Sequence, residues 1–258
     1  MSTHLPDPVR FAVGTFTRFP VPPPGTVDAV VAGRGLALAP LVGGALGLAS
    51  GALLLVTGVD LIARLLSATL VVALAAWLTR GLHWDGLADV ADGLGSGAPP
   101  DRAREIMRRS DIGPFGVLVL GFTGAVQVLA LAQLPADRIA LAGWVLAVTL
   151  GRLAAAVACG WWVRPARPDG LGAAVVGSVT PARLVLAAGA AGVVAVLVTW
   201  AGPLPWTAAL LEAPLVAVLV AVLVARTALR RFGGSTGDVL GATIELATAA
   251  ALLVLALR

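Results

Sequence analysis

Seven nearly unbroken apolar runs set the terms for folding this 258-residue chain: 36–57, 61–79, 115–134, 139–162, 184–201, 206–225 and 239–257. Each is close to the ~20 residues that cross a bilayer as a helix. Spanning strands would need a closed barrel and strict alternation, and none of these runs alternates. The chain is 59% hydrophobic and 12% charged, against about 45–50% and about 25% for soluble domains. The expected fold is therefore all-α. It is a polytopic membrane helix bundle of about seven transmembrane helices, with residues 1–258 forming one integral membrane domain. Gly43, Gly47 and Gly51, and the pair Gly189 and Gly192, have spacings that permit close helix contact. Met1–Phe19 lacks the apolar core and cleavage-type ending of a signal peptide, so the first span is expected to direct insertion.

The cations test this count. All 18 basic residues are Arg, and there is no Lys. With the N-terminus cytoplasmic, fourteen Arg fall in inside segments, only Arg138 and Arg258 fall outside, and Arg64 and Arg152 lie within spans. Such a bias predicts an N-inside, C-outside chain. The calculated pI of 11.1 therefore reflects topology signals scattered between apolar runs, and nucleic acid is not an expected partner. The single cysteine, Cys159, excludes an intrachain disulfide and reads as a small core residue.

Against this apolar background stands Asp85-Gly-Leu-Ala-Asp89-Val-Ala-Asp92-Gly93. At 3.6 residues per turn, the three carboxylates project within a sector of roughly 60°. Their neighbours are small or aliphatic, leaving room for Mg²⁺ or Mn²⁺ and the phosphates such ions carry. The plain alternative is a solvated acidic turn capping a helix. The lack of any Lys partner and the adjacent apolar run weigh against it. The cluster opens the longest inside segment, 80–114. There Pro99-Pro100 can start a helix over Asp101–Arg109 that rests on the headgroups.

Two more inside segments carry unusual chemistry. Pro165-Ala-Arg167-Pro-Asp169-Gly170-Leu-Gly172 combines a charge pair with glycines. Arg230-Arg231-Phe-Gly233-Gly234-Ser235-Thr236-Gly237-Asp238 reads as a phosphate cradle leading into a helix, although a Gly-rich turn is often only a turn. Asp238 either complements the dipole of the last span or binds metal. Glu245, seven residues on, shares its face within the bilayer, where an acid faces the bundle interior or a water-filled cavity. Arg152 is expected to meet an acid or an anionic ligand. His83, beside Trp84, reads as a packing or hydrogen-bond partner.

The stretch Arg80-Gly-Leu-His83-Trp-Asp85-Gly86-Leu-Ala-Asp89-Val-Ala-Asp92-Gly93 resembles the cobalamin synthase family, the adenosylcobinamide-GDP ribazoletransferases. So do Arg104-Glu105-Ile-Met107, Ser110-Asp-Ile112-Gly113-Pro-Phe115-Gly116 and Gly233-Gly234-Ser-Thr236-Gly237-Asp238-Val-Leu-Gly241-Ala242-Thr-Ile-Glu245. Phe16-Thr17-Arg18-Phe-Pro20 and Pro40-Leu-Val-Gly43 are similar to the family's opening, so the likeness covers essentially the whole chain. Trp84 and Pro114 depart from it, where an aliphatic residue and Thr are usual.

The resemblance implies that the 3′-hydroxyl of α-ribazole, or of α-ribazole 5′-phosphate, attacks the cobinamide-linked phosphorus of adenosylcobinamide-GDP and releases GMP. It implies Mg²⁺ and a multi-pass place in the bacterial inner membrane, with the active site facing the cytoplasm. On this reading Asp85, Asp89 and Asp92 are the catalytic, metal-binding acids, with Asp238 completing the metal set. His83, Arg108, Arg109, Arg230, Arg231, Gly233, Gly234, Thr236, Gly237 and Glu245 are substrate-binding candidates. The bilayer is a partner, and a homo-oligomer is left open.

Two alternatives remain. One is a lipid phosphotransferase of the CDP-alcohol type. The other is a cobalt or corrinoid transporter, disfavoured because the halves show no inverted repeat and the acids lie at one end of a span. If the two long motifs form one site, Gly233–Asp238 must pack beside the Asp85–Asp92 helix. Small residues at Gly86, Ala88, Gly237 and Gly241 would permit the approach.

Overall fold

The computed structural model describes residues 5–56, 60–135, 138–168, 171–200 and 208–258. Asp169 and Gly170 of the sequence-predicted charge pair lie outside them. Eleven α-helices form among the described residues: α1 (Asp7–Phe16), α2 (Ala29–Gly51), α3 (Leu61–Leu78), α4 (Leu82–Gly95), α5 (Pro100–Ile106), α6 (Pro114–Gln133), α7 (Arg138–Ala158), α8 (Leu171–Val175), α9 (Pro181–Trp200), α10 (Ala209–Arg231) and α11 (Gly237–Ala256). No strand forms among them. Seven helices are long and apolar enough to cross a membrane: α2 with its 3₁₀ extension to Val56, then α3, α6, α7, α9, α10 and α11. The chain is thus an all-α bundle with seven candidate spans.

Helix ends follow local chemistry more than hydropathy. The first span starts at Ala29, ahead of the apolar run at Leu36, because Asp28 Oδ1 accepts from the Val30 and Val31 amides, each at 2.8 Å. Such a cap satisfies donors that a helix start leaves unpaired. Asp60 caps α3 in the same way through the Ala63 amide. Between α3 and α4 the chain reverses through Arg80 and Gly81, both left-handed at φ 60° and 68°. In α5, Arg102 pairs with Glu105 and Arg104 with Asp101, and the helix stops at Ile106, short of Arg109.

At the centre stands α7, buried at every residue from Ala142 to Ala158. Its neighbours approach through small side chains. A Cβ added at Gly43 would stand 2.9 Å from the Val148 carbonyl oxygen, and one at Gly47 2.8 Å from Val145 Cα. Gly43 and Gly47 of α2 therefore lie against the α7 backbone and Gly51 against the Leu141 and Trp144 side chains, where contact area comes from proximity rather than bulk. On α10, Ala209, Ala213, Ala217, Ala221 and Ala225 form a buried stripe. Gly189 and Gly192 behave otherwise: both face open space, and α9 packs through Ala187, Ala191 and Val194. Spacing alone cannot tell a packed glycine stripe from an outward one. Leu66, Leu70, Phe122, Leu186 and Leu215 are exposed, as on a surface solvated by lipid.

Backbone contacts gather the Arg-rich segments at one end of the bundle. The Arg18 amide donates to the Leu78 carbonyl at 2.7 Å, and the guanidinium groups of Arg80, Arg183 and Arg164 donate to the carbonyls of Gly14 at 2.9 Å, Ala29 at 2.9 Å and Gly233 at 3.1 Å. At the other end, Arg258 pairs with Glu212 at 2.7 Å, and Arg64 donates to the Leu134 carbonyl. Packing at the α2–α7 seam is tested by Gly47→Ala, which should cost about 1–3 kcal/mol of unfolding free energy in detergent through overpacking. Gly189→Ala, into open space, should stay within about 0.5 kcal/mol. Equal effects would show that the seam is looser than described.

Candidate active site

The acidic helix α4 is wedged between the first turns of α6 and α11. A Cβ added at Gly86 would stand 2.8 Å from both Cα and the carbonyl oxygen of Asp238, and one at Gly241 3.0 Å from those of His83. The glycines are reciprocal: each helix offers one where the other's backbone presses. Because His83 meets Gly241 while Gly86 meets Asp238, α4 and α11 run antiparallel. The two sequence motifs are thereby brought together. The other two small residues serve different ends. Ala88 faces α6, 3.2 Å from where a Cβ on Gly116 would be, and Gly237 is left open.

The three acids of α4 sit in different surroundings. Asp85 is exposed, Asp89 half-buried and Asp92 buried. Asp92 accepts from the Gly113 amide at 2.7 Å through Oδ2 and from the Gly116 amide at 2.9 Å through Oδ1. It thus caps α6, whose own N-cap residue, Gly113, has no side chain to do so. Each oxygen keeps further lone-pair capacity. Burial, then the neighbouring Asp85, Asp238 and Asp92, push the Asp89 carboxyl up to about 7.

Four carboxylates from two helices therefore share one electrostatic neighbourhood. As the side chains stand, no three His, Cys, Asp or Glu among the described residues converge closely enough to hold a metal ion. The donor chemistry nonetheless fits a hard divalent cation. Every donor is a carboxylate oxygen, and Asp89 stands among three like-charged neighbours, Asp85, Asp92 and Asp238.

Beside Asp238 opens a cavity of about 140 Å³. Arg104, Arg108 and Arg167 supply its charge, and Ser235, Thr236 and Gly237 continue its wall. Thr236 caps α11 by accepting from the Val239 amide at 3.4 Å, and its hydroxyl donates to Asp238 Oδ2 at 3.2 Å. The Ser235 hydroxyl is buried and has no hydrogen-bond partner among the described residues. Gly233, at φ +76°, turns the chain after α10. Gly234 allows the loop to lie against Pro165 and Ala166, where Ser235 and Ala166 exchange backbone bonds with Arg164 and Ser235, each at 2.9 Å. This pairing brings Arg167 to the cavity. Arg104 is held by the Phe232 carbonyl and by Asp101. Arg109, Arg230 and Arg231 are exposed and do not line this cavity.

Beneath the acids lies a buried polar group drawn from four helices. Gln127 donates to Glu245 Oε2 at 3.0 Å and to its carbonyl at 3.2 Å. His83 Nδ1 stands 3.7 Å from Glu245 Oε1, just beyond hydrogen-bond reach, with its ring 5.9 Å from that of Phe16. Arg152 is 4% exposed, donates weakly to the Val148 carbonyl at 3.5 Å and interacts electrostatically with Glu245. No acid among the described residues pairs directly with Arg152; Glu245 acts on it through space. Glu245 is turned into this network and lines neither the basic cavity nor the apolar one described below.

With this geometry in place, comparison with known proteins is decisive. The family described as Cobalamin-5-phosphate synthase matches residues 8–256. The chain belongs to the Cobalamin-5-phosphate synthase family. A relative from Frankia casuarinae is 44% identical over 96% of this chain and 94% of its own length. One from Nocardioides is 41% identical over 98% and 99%, and one from Corynebacterium efficiens 37% identical over 95% and 89%. All three are named adenosylcobinamide-GDP ribazoletransferase. No solved structure matches the chain.

In this Cobalamin-5-phosphate synthase family member, Arg104 and Arg167 are cavity residues that sequence reasoning did not single out for binding. Arg104 lies in the Arg104–Met107 motif and Arg167 in the Pro165–Gly172 segment, so both are visible in the sequence without a role attached. The buried network gives a measurable outcome. Arg152→Leu, which takes a positive charge from Glu245 while leaving its Gln127 bond, should cost about 1–3 kcal/mol of unfolding free energy in detergent, and Arg152→Leu with Glu245→Leu should cost less than the sum of the two single substitutions. Simple additivity would show that the two charges are not coupled.

Proposed function

We propose that this chain joins ribazole to adenosylcobinamide-GDP, the reaction its relatives' names describe. The acceptor's ribose hydroxyl oxygen bonds to the cobinamide-linked phosphorus. The bond from that phosphorus to the oxygen bridging the diphosphate breaks, GMP leaves with that oxygen, and the hydroxyl proton passes to a nearby carboxylate or water. The observation that carries this reading is the meeting of Asp85, Asp89 and Asp92 on α4 with Asp238 on α11, beside a cavity lined by three arginines.

Phosphoryl transfer asks a protein chiefly to position groups and neutralise charge. Arg104, Arg108 and Arg167 bind the diphosphate, with Arg108 free to follow it and Arg104 fixed by its backbone partner. Ser235 offers a buried hydroxyl without a partner among the described residues. Asp85, Asp89, Asp92 and Asp238 would hold Mg²⁺, which when bound supplies Lewis-acid neutralisation of phosphate charge. Asp92 also keeps α4 registered on α6 through its two amide bonds. On this reading the site faces the cytoplasm at a bacterial inner membrane, which the gathering of the Arg-rich segments at one end of the bundle supports.

Purified protein in nanodiscs, given adenosylcobinamide-GDP, α-ribazole and Mg²⁺, should release GMP. Asp89→Asn should lower the rate by at least about 10²-fold while leaving the protein inserted and folded. Near-native turnover in that variant would remove the acids from the chemistry, and CMP release from a CDP-alcohol in place of GMP would assign the lipid phosphotransferase activity. For topology, a reporter fused after Arg109 should read as cytoplasmic and one at Arg258 as periplasmic. A cytoplasmic C-terminus would contradict the assigned orientation.

A further inference from the structure

A second cavity, of about 250 Å³, adjoins the basic one. The two share Gly172, Thr236, Gly237 and Asp238 as a common wall. Their chemistry is opposite. Phe16 from α1, Leu82 from α4, Val175 and Val176 at the end of α8, and Leu240 and Ile244 from α11 line most of the second cavity. Among the described residues, Asp238 is the only Asp, Glu, Lys or Arg in its lining. Phe16, Val175, Val176, Leu240 and Ile244 are buried, while Leu82 is 47% exposed at the rim. The walls are thus packed side chains of four helices, a largely pre-formed hollow of the kind that takes small ligands.

The lining discriminates among occupants. A guanine base carries several donors and acceptors along its edges. Here it would find the hydroxyls of Thr15 and Thr236, His83 and Asp238, and an apolar remainder. Polar groups buried without partners are costly. The base of a ribazole, a benzimidazole joined to ribose through nitrogen, has no N–H to satisfy and two flat apolar faces. The paired rings of Phe16 and His83, tilted at 50°, offer it faces and edges of the kind aromatic rings prefer. A lipid chain fits less well. The cavity is bounded by α8 and the start of α11 and has a carboxylate in its wall, while Leu66, Leu70, Leu186 and Leu215 face outward elsewhere.

We infer that this apolar cavity is the acceptor subsite, holding the flat, uncharged base of ribazole so that its ribose reaches Asp238 at the wall shared with the basic cavity. The donor's phosphates then lie on the arginine side, and the reacting atoms meet at Thr236–Asp238. Base recognition thereby becomes a matter of shape and apolar contact, separate from recognition of the diphosphate. The inference rests on the transferase reading for the identity of its ligand.

The test uses the full chain in nanodiscs, with equilibrium binding of labelled α-ribazole and of adenosylcobinamide-GDP measured separately, alongside KM for each. Val176→Trp fills the cavity, and Leu82→Trp narrows its rim from an exposed position that folding tolerates. Each should raise Kd and KM for α-ribazole about tenfold or more, the scale of discrimination in an apolar pocket. Adenosylcobinamide-GDP binding should change less than about twofold. Unchanged α-ribazole binding in Leu82→Trp, or loss of adenosylcobinamide-GDP binding alone, overturns the assignment. GMP release by the unaltered chain separates the two readings. If it occurs and the tryptophans leave the ribazole KM unmoved, the subsite is wrong and the reaction stands. If it does not occur while ribazole binding still responds to them, the reaction is wrong and the subsite stands.

Discussion

Where Gly86 of α4 presses on the backbone of Asp238, and Gly241 of α11 on that of His83, two helices approach as closely as their main chains allow. The rest of the candidate site depends on this contact. Any side chain at either glycine would push α11 outward and carry Asp238 away from the acids of α4. The same approach sets the wall between the two cavities, because Thr236, Gly237 and Asp238 are carried by the end of α11 that meets α4. A third helix is locked in by Asp92, which spends one bond from each oxygen on the first turn of α6. Acids that read in sequence as one cluster therefore differ in duty: one is fixed by structure, one is exposed, and one is crowded by the others.

Charge within an apolar bundle is tolerated here by sharing. Glu245 takes a hydrogen bond from Gln127, faces His83 and feels Arg152, so its charge is spread over contributions from α4, α6 and α7. Buried ion pairs add little net stability relative to apolar packing, but they punish the loss of one partner. Such a group favours a unique arrangement of helices directly under the site. Close packing on α7 serves the same end by different means, through glycine and alanine stripes that leave little room for sliding.

The paired cavities divide recognition by chemistry. On one side stand guanidinium groups and hydroxyls, suited to phosphates; on the other, rings and aliphatic side chains, suited to a flat base. A carboxylate marks their boundary. Such separation lets a donor and an acceptor of unlike polarity meet with little solvent between them, which strengthens each electrostatic contact at the reacting centre.

The sequence by itself determined the span count, the acidic cluster and the family, because run length, helical spacing and motif identity are local properties. It also brought the Gly233–Asp238 loop to the acids by requiring room for a close approach. Only the tertiary structure decided which small residues make that approach, since Gly86 and Gly241 do, while Ala88 faces α6 and Gly237 is left open. It likewise chose Arg104, Arg108 and Arg167 for the cavity over Arg109, Arg230 and Arg231. A charge's place along the chain reveals its end of the bundle, but the direction it points depends on backbone pairings such as that of Ser235 with Arg164 and Ala166, made across some seventy residues. Contacts at that distance depend on how helices settle against one another, and no periodicity within a single helix records them.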